Sequence, residues 1–288
     1  MKNKKILITG NKGFIGNSIL EKFRKSNKII GISKNKYLKL KKNTFFNINK
    51  STLDKIPFIP DYVFHCAGTS SVYKSMKYKK KDYNDNFLST KYLLDYYKKQ
   101  KKKPVIFIFS SAAVYGNNKV KLRPISNYGK HKLLAEKLSI NYSIKFKMKI
   151  IILRIYSVYG EKNKKQLFWD VCNKIKRKEN IFFGTGEEVR SWLHIDDLIS
   201  AILKITKINY FPFIIDIGSF EKFKNKEITK MFYKEFKSKL SPQFNGEQRI
   251  GDPIKQISNN NKIRKIGWHP KIKINQGIKK YVKWFKNN

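Results

Sequence analysis

The sequence predicts an α/β protein: a Rossmann-like, doubly wound parallel sheet with a smaller α+β substrate-binding lobe. In the first half, short apolar runs alternate with amphipathic segments of helical length, a pattern typical of parallel strands connected by helices. Three glycines, Gly10, Gly13 and Gly16, directly follow the first apolar run, where such folds bind phosphate. The segments of the second half are shorter and less regular, which predicts the smaller lobe.

The individual elements follow from these patterns in chain order. Apolar runs predict strands at 5–9, 28–33, 44–46, 62–65, 105–110 and 149–153. Helical spacing predicts helices at 14–23 and 85–98, and a third that is capped by Ser126 or Asn127 and runs to about 145. In the second half we expect helices at 166–176, 196–205, 224–236 and 275–285, and strands at 181–183 and 213–217. The lysine runs 79–81 and 101–103 are predicted to be solvated turns.

The chain is predicted to divide into two units. Residues 1–158 are expected to form a dinucleotide-binding domain to which 187–218 return, and 159–186 with 219–288 to form the substrate-binding lobe. The 288 residues are 41% hydrophobic, which indicates a globular protein.

The net charge of +44 raises the question of a nucleic-acid or membrane partner. The excess is mostly lysine and is spread over nearly every segment, as codon bias toward A and T would also produce. We therefore predict neither partner, although the charge should attract anionic substrates. The two cysteines, Cys66 and Cys172, have the spacing of neither a metal site nor a disulfide framework. We expect them to be reduced in a cytoplasmic protein without a metal.

The glycine trio predicts a phosphate-binding turn at the start of the first helix. Gly10 allows the tight turn, Gly13 lets backbone amides approach a pyrophosphate, and Gly16 lets the helix pack on the strand. Phe14 and Ile15 lie in the first helical turn, whose amides and dipole favour an anion.

The second strand bears on the choice between NAD and NADP. A carboxylate at its end would bind the ribose hydroxyls of NAD, and this chain has Ser33 and Lys34 there. These residues are compatible with NADP, so the sequence leaves both cofactors open. Asn47 and Ile48 after the third strand are expected to frame the adenine.

A hydroxyl, a phenol and an ammonium are predicted to meet at the ligand edge of the sheet. Ser111 follows the fifth strand, and Tyr128 and Lys132 lie one turn apart on the next helix. The spacing of Tyr and Lys recurs elsewhere in this lysine-rich chain, but here it lies on a capped helix that follows a buried strand ending in serines. The arrangement suits proton transfer beside a nicotinamide ring.

These residues resemble the extended short-chain dehydrogenase/reductase family, in its NAD-dependent nucleotide-sugar epimerase/dehydratase branch. The resemblance covers essentially the whole chain. The matching pieces are Thr9-Gly10-x-x-Gly13-x-x-Gly16, His65-Cys66-Ala67-Gly68, Asn86, Ser111-Ala112-Ala113-Val114-Tyr115-Gly116, Tyr128-x-x-x-Lys132, Leu153-Arg154 with Tyr159-Gly160, Arg190-Ser191-Trp192-Leu193-His194-Ile195-Asp196-Asp197, and Arg249-x-Gly251-Asp252.

The resemblance implies roles at the matching positions. Ala67 and Gly68 would lie against the cofactor, with Asn86 supporting their loop. The residues implied to bind a nucleotide-diphosphate sugar are the clamp arginines Arg190 and Arg249, together with Phe183, Gln166 and Ser157, the last standing where many relatives have Asn. His194 is interpreted as structural, and Asp196 and Asp197 as helix caps.

The chemistry implied is epimerisation at C4 of a UDP-hexose or UDP-N-acetylhexosamine through a 4-keto sugar. Tyr128 would be the base, Lys132 would favour its phenolate while bonding the nicotinamide ribose, and Ser111 would bond the developing carbonyl oxygen. Ala112 and Ala113 replace the acids of related dehydratases and disfavour dehydration. An NADPH-dependent 4-keto sugar reductase and a noncatalytic dinucleotide-binding protein remain alternatives. The resemblance also implies a homodimer through the helices at 85–98 and 128–145, and we expect a role in surface polysaccharide synthesis.

Overall fold

The computed structural model describes residues 1–33, 44–46, 48, 50–118 and 121–288. Lys34 and Asn47, two of the predicted cofactor residues, lie outside the described residues. In chain order the strands are β1 Lys5–Thr9, β2 Lys28–Ser33, β3 Thr44–Phe46, β4 Tyr62–His65, β5 Val105–Ser111, β6 Lys149–Ile155, β7 Val158–Tyr159, β8 Ile181–Phe182, β9 Val189–Arg190, β10 Leu193–His194, β11 Phe213–Ile217, β12 Phe223–Lys224, β13 Gln243–Phe244 and β14 Lys255–Gln256.

The helices alternate with the strands of the first half, as the periodicity predicts. They are α1 Phe14–Phe23, α2 Lys50–Asp54, α3 Val72–Lys77, α4 Lys79–Tyr83, α5 Ser89–Lys98, α6 Asn127–Lys145, α7 Gln166–Lys176, α8 Ile195–Ile205, α9 Asn225–Glu235, α10 Asn261–Lys265 and α11 Ile274–Lys286. A π-helical turn at Asn84–Leu88 joins α4 to α5, and a 3-10 turn at Ala112–Val114 follows β5.

The central sheet is parallel throughout and has the order β11-β6-β5-β4-β1-β2-β3. This confirms the predicted doubly wound, Rossmann-like fold. From β1 the chain winds outward to β3 on one side, and it then returns to β4 and continues to β11 on the other. The direction reverses between β1 and β4, so the crevice outside the carboxyl ends of these strands is where the fold places a ligand.

Separate apolar cores cover the two faces of the sheet. One contains Ile19 of α1 and Ile202 of α8, and the other contains Leu93 of α5, all fully buried. Each buried aliphatic side chain of this kind contributes roughly 1.5–3 kcal/mol. The two cores therefore stabilise the sheet from both faces, and with it the position of its carboxyl edge.

A third core lies outside the sheet and is built mainly from aromatic residues of the second half. Phe168 of α7 packs against Trp192, Phe232 of α9 and Tyr281 of α11, with ring centroids 4.9–5.6 Å apart. Short strands border this core, including β12 and β14 on either side of β9. These elements form the smaller lobe; the exact domain boundaries expected from the sequence stay a prediction.

Two local predictions were wrong. Lys79, Lys80 and Lys81 do not form a turn but open α4, because a helix lets the three lysines contact water while Asp82 is buried. Asp196 and Asp197 do not cap α8 with their side chains.

The residue that caps α8 is His194. Its Nδ1 accepts a hydrogen bond from the Asp196 amide at 3.2 Å. The carboxylate of Asp197 instead accepts from the backbone amides of Lys271 and Ile272 at 3.0 and 2.9 Å, which ties α8 to the approach to α11.

Within the described ranges, no helix is long and apolar enough to cross a bilayer. Both cysteines are free, and Cys172 is buried in the core of the lobe.

Candidate active site

The glycine turn after β1 is closely packed against the loop that follows β4. Gly10 has φ of +70°, and its amide donates to the Ile32 carbonyl at 2.7 Å. A Cβ on Gly10 would lie 2.8 Å from backbone atoms of Cys66 and Ala67. A Cβ on Gly16 would lie 2.3 Å from the Gly10 oxygen. Both positions therefore need glycine for the two loops and α1 to meet.

The first turn of α1 presents backbone groups rather than a capping side chain. Gly13 is the N-cap residue, and none of the described side chains caps the helix at this end. Phe14 and Ile15 pack against the sheet core, which fixes the direction of the turn. The turn from Gly10 to Gly16 forms a cradle that fits a dinucleotide pyrophosphate. The oxygens of the pyrophosphate would accept hydrogen bonds from the backbone amides of the first helical turn.

Of the four residues expected to contact the adenosine half of the cofactor, Ser33 and Ile48 lie among the described residues. Ser33, at the end of β2, is nearly buried, and Ile48 packs against the apolar core beneath α5. Asn11 was not predicted but lies in the turn below β2: its amide fills the space where Gly31 lacks a side chain, and its buried Oδ1 has no partner among the described groups.

The loop after β4 holds the predicted cofactor residues Ala67 and Gly68. Gly68 has φ of +146°, and a Cβ there would lie 2.4 Å from Oδ1 of Asn86. The Asn86 amide donates to Thr69 Oγ1 at 2.9 Å. Asn86 thus packs against this loop.

The strand β5 and the helix α6 bring Ser111, Tyr128 and Lys132 together. Ser111 ends β5, and its hydroxyl lies near the phenol of Tyr128, whose pKa it lowers. Ser126 caps α6 by accepting from the Gly129 amide at 3.1 Å, which fixes Tyr128 in the first turn. Lys132 Nζ lies 5.8 Å from the centroid of the Tyr128 ring.

Burial dominates the pKa values of these groups. It raises the pKa of Tyr128 to about 12, although the neighbouring Ser111 hydroxyl acts to lower it. Burial lowers the pKa of Lys132 to about 8, against the raising effect of carboxylates on Asp82 and Glu136. Lys132 is not among the groups that shift the pKa of Tyr128, so the lowering expected from its charge is not seen in the protein alone. A phenolate requires further positive charge, which oxidised nicotinamide carries.

A buried polar network extends from this site along the sheet edge. Ser110 Oγ donates to Glu136 at 2.5 Å, and the Arg154 guanidinium pairs with both Glu136 oxygens at 2.6–3.1 Å. Arg154 also donates to the Tyr115 hydroxyl at 2.7 Å, which in turn donates to Asp216 at 3.0 Å. Burial raises the pKa of Asp216 to about 6. The motifs contained Tyr115 and Arg154, but nothing in the sequence linked them to Glu136 or Asp216.

Three predicted substrate residues are near one another in the lobe. The Arg249 guanidinium stacks on the exposed ring of Phe183, 4.4 Å from its centroid. Arg190 donates to the carbonyls of Pro253 and Ile254 at 2.6 and 3.2 Å. Burial raises the pKa of Asp252, although the charges of both arginines oppose the shift.

The segment that carries Arg249 reaches back to α6. A Cβ on Gly251 would lie 3.2 Å from Cβ of Ser126, two residues before Tyr128. This segment therefore packs against the N-terminal end of the helix that carries Tyr128.

The remaining two predicted substrate residues are less closely integrated. Ser157 is half-buried between β6 and β7, and its carbonyl accepts from the Leu193 amide at 2.8 Å. Gln166 is exposed at the start of α7 with φ of +63°. No described contact joins Gln166 to Tyr128 or Arg249.

Comparisons with known proteins agree with this fold. The model of the NAD dependent epimerase/dehydratase family matches residues 6–210. A candidate UDP-glucose 4-epimerase of Methanocaldococcus jannaschii is 27% identical, over 98% of this chain and 99% of its own. A solved UDP-glucose 4-epimerase of Thermotoga maritima with UDP-glucose has a TM-score of 0.88 and 26% identity, covering 98% and 99% of the two chains.

A further solved structure extends the likeness in fold. A mutant UDP-glucuronic acid 4-epimerase of Bacillus cereus, in complex with NAD and a fluorinated substrate analogue, has a TM-score of 0.90. Its identity is 24%, with 98% of this chain and 99% of the other covered.

Proposed function

This chain belongs to the NAD dependent epimerase/dehydratase family as an NAD-dependent sugar-nucleotide epimerase, and we propose that it acts at C4 of a UDP-hexose or UDP-N-acetylhexosamine. The observation that carries the proposal is the meeting of Ser111, Tyr128 and Lys132 at the edge of the cofactor cradle. The similar proteins named UDP-glucose 4-epimerase support C4 and the uridine nucleotide.

The residues of the site divide the proton chemistry between them. Bound NAD would supply the hydride transfer from the sugar carbon and back to it. Tyr128 takes the proton of the C4 hydroxyl and later gives it back, while Ser111 donates a hydrogen bond to the carbonyl oxygen that forms. Lys132 holds positive charge beside the phenol. The 4-keto sugar turns its other face before it is reduced, so there is no net oxidation.

The lobe supplies the groups that would hold the nucleotide. Arg249 and Arg190 offer guanidinium donors, which bind phosphate oxygens in pairs. Phe183 is half-exposed beneath Arg249 and offers a face for the base. In the protein alone the Arg190 guanidinium donates hydrogen bonds to backbone carbonyls. A diphosphate that binds there would replace these hydrogen bonds or share their donors.

Dehydration is disfavoured by the residues beyond Ser111. Ala112 and Ala113 are buried in the 3-10 turn, and neither side chain carries an acidic group that could protonate a departing hydroxyl. Reduction of a 4-keto sugar by NADPH uses the same phenol and remains the second outcome to be tested, because β2 ends in Ser33 rather than a carboxylate.

The test is NMR of the purified protein with a panel of UDP- and dTDP-sugars, with and without NADPH. We expect a new C4 stereoisomer of a UDP-sugar without cofactor consumption, and a loss on the order of 100-fold or more in Tyr128→Phe. Stoichiometric NADPH oxidation would identify a reductase. Unchanged turnover in Tyr128→Phe would rule out this site.

A homodimer through α5 and α6 is part of the proposal. Tyr92, Leu134 and Ile144 are large apolar side chains exposed on these helices. Their burial against a second copy would explain the exposure. Light scattering of the wild type and of Leu134→Glu checks it: we expect a dimer and a monomer, and a monomeric wild type would contradict the pairing.

A further inference from the structure

One buried carboxylate joins the cofactor loop to the helix that carries Tyr128. Asp82 lies in α4 and is 2% exposed. Its Oδ1 accepts from Thr69 Oγ1 at 2.5 Å and from Asn86 Nδ2 at 2.9 Å. Its Oδ2 lies 2.7 Å from Nδ1 of His131. Three segments distant in sequence therefore meet at this side chain.

Each partner of Asp82 adjoins the candidate site. Thr69 directly follows Gly68, and Oδ1 of Asn86 lies where a side chain on Gly68 would be. His131 directly precedes Lys132 and is itself buried, with its ring 5.4 Å from that of Tyr83. A shift of the carboxylate would therefore move the cofactor loop, Lys132, or both.

The charge of Asp82 also acts on the site. It raises the pKa of Lys132, opposing the effect of burial, and it adds to the effect of burial in raising the pKa of Tyr128. The other titratable groups around Tyr128 and Lys132 are Glu136 and His131 on α6, and His65 and Cys66 at the end of β4. Burial lowers the pKa of His65 to about 3, which leaves it neutral.

We propose that Asp82 is a positioning residue: it fixes the distance between the Gly68 loop and helix α6, and its buried negative charge tunes Tyr128 and Lys132. The proposal rests on the proposed function of Tyr128 as the proton acceptor. The interaction is not visible in the sequence, because Asp82 lies 49 residues from His131 and neither belongs to a motif.

The Asp82→Asn variant tests the charge, because the amide keeps the size of the side chain and can still accept from Thr69 and Asn86. Removing the anion lowers the pKa of Tyr128, so the acid limb of the pH–rate profile should move to lower pH. It also lowers the pKa of Lys132, so the alkaline limb should move to lower pH as well. A role confined to folding would move neither limb.

The Asp82→Ala variant tests the tie between the segments. We expect kcat to fall on the order of 10- to 100-fold, with little change in the KM of the sugar, because the reacting groups are misplaced while the nucleotide contacts remain. Asp95→Asn is the matched control. Asp95 lies in α5, beyond the π-helical turn, and outside the site; its carboxylate accepts hydrogen bonds from Lys91, Lys98 and the Tyr142 hydroxyl. Its profile should match the wild type.

A direct titration keeps this test separate from that of the proposed function. The ultraviolet difference spectrum between each NAD-loaded protein and its Tyr128→Phe counterpart reports the phenolate without turnover. We expect the phenol to titrate at lower pH in Asp82→Asn, even if no sugar is converted. Profiles and titrations that coincide with the wild type, or a loss of activity without any shift, would overturn the proposal.

Discussion

Lys132 donates a hydrogen bond from Nζ to the backbone carbonyl of Phe109, 2.8 Å away. This bond fastens helix α6 to the strand that ends in Ser111, two residues further on. It also leaves the ammonium buried beside the Tyr128 ring, where burial lowers its pKa to about 8. The same contact thus sets both the position and the charge of the group.

The first prediction concerns the alkaline limb of the pH–rate profile. Lys132 is charged below its pKa, so turnover should fall as the pH rises through about 8 and the ammonium is lost. Lys132→Arg keeps its charge throughout this range. Its normalised rate should stay level where the wild-type rate falls. Identical alkaline limbs would show that another group is responsible.

The second prediction separates the two tasks of the glycine turn. Gly16→Ala places a Cβ 2.3 Å from the Gly10 oxygen and should lower the free energy of unfolding by about 1–3 kcal/mol. Gly13→Ala places its Cβ 3.2 Å from the Gly10 oxygen, in a backbone that is extended. The fold should therefore survive while NAD binding is weakened. Urea unfolding and NAD titration measure these effects. Full NAD affinity in Gly13→Ala would contradict the pyrophosphate cradle.

The third prediction concerns Arg249. Loss of charge-assisted bonds to phosphate costs roughly 1.5–3 kcal/mol, so Arg249→Met should raise the KM of the nucleotide sugar on the order of 10- to 100-fold. Arg264→Met is the matched control, since that guanidinium stacks on Phe220 in the same way, 4.2 Å from its centroid. Steady-state kinetics should separate the two variants. An equal effect of both would reduce Arg249 to a stacking residue.

The fourth prediction concerns the buried pair of Glu136 and Arg154. Removing one charge leaves the other buried without a partner, so Glu136→Gln should lower the free energy of unfolding by about 3–5 kcal/mol. The double variant with Arg154→Met should recover part of this loss. Urea unfolding of the four proteins gives the coupling energy. Additive effects would mean that the pair does not act as a unit.

Local patterns predicted most of the first half of the fold. Strands β1 to β4 and helix α1 have the predicted bounds, because the apolar pattern of each element is local in the sequence. Strand β5 runs one residue further than expected, to Ser111, because its pairing with β6 continues. The turn expected at 79–81 failed because the lysines gave no sign that Asp82 is buried.

The site divides in the same way. Ser111, Tyr128 and Lys132 could be placed because one strand and the next helix carry all three. The Asp82–His131 contact and the network from Ser110 to Asp216 could not, because their partners come from strands or helices paired only in the folded chain. The balance of pKa effects was also hidden, since burial of the phenol outweighs its neighbours.

The most direct measurement follows the hydrogen at C4 of the sugar. The NAD-loaded protein is incubated with UDP-glucose deuterated at C4, and the products are read by NMR. We predict the C4 epimer with the deuterium still on C4, because the hydrogen removed as hydride returns to the same carbon, and no such product from Tyr128→Phe. Exchange of the label with water, or a product formed equally well without the phenol, would contradict the account.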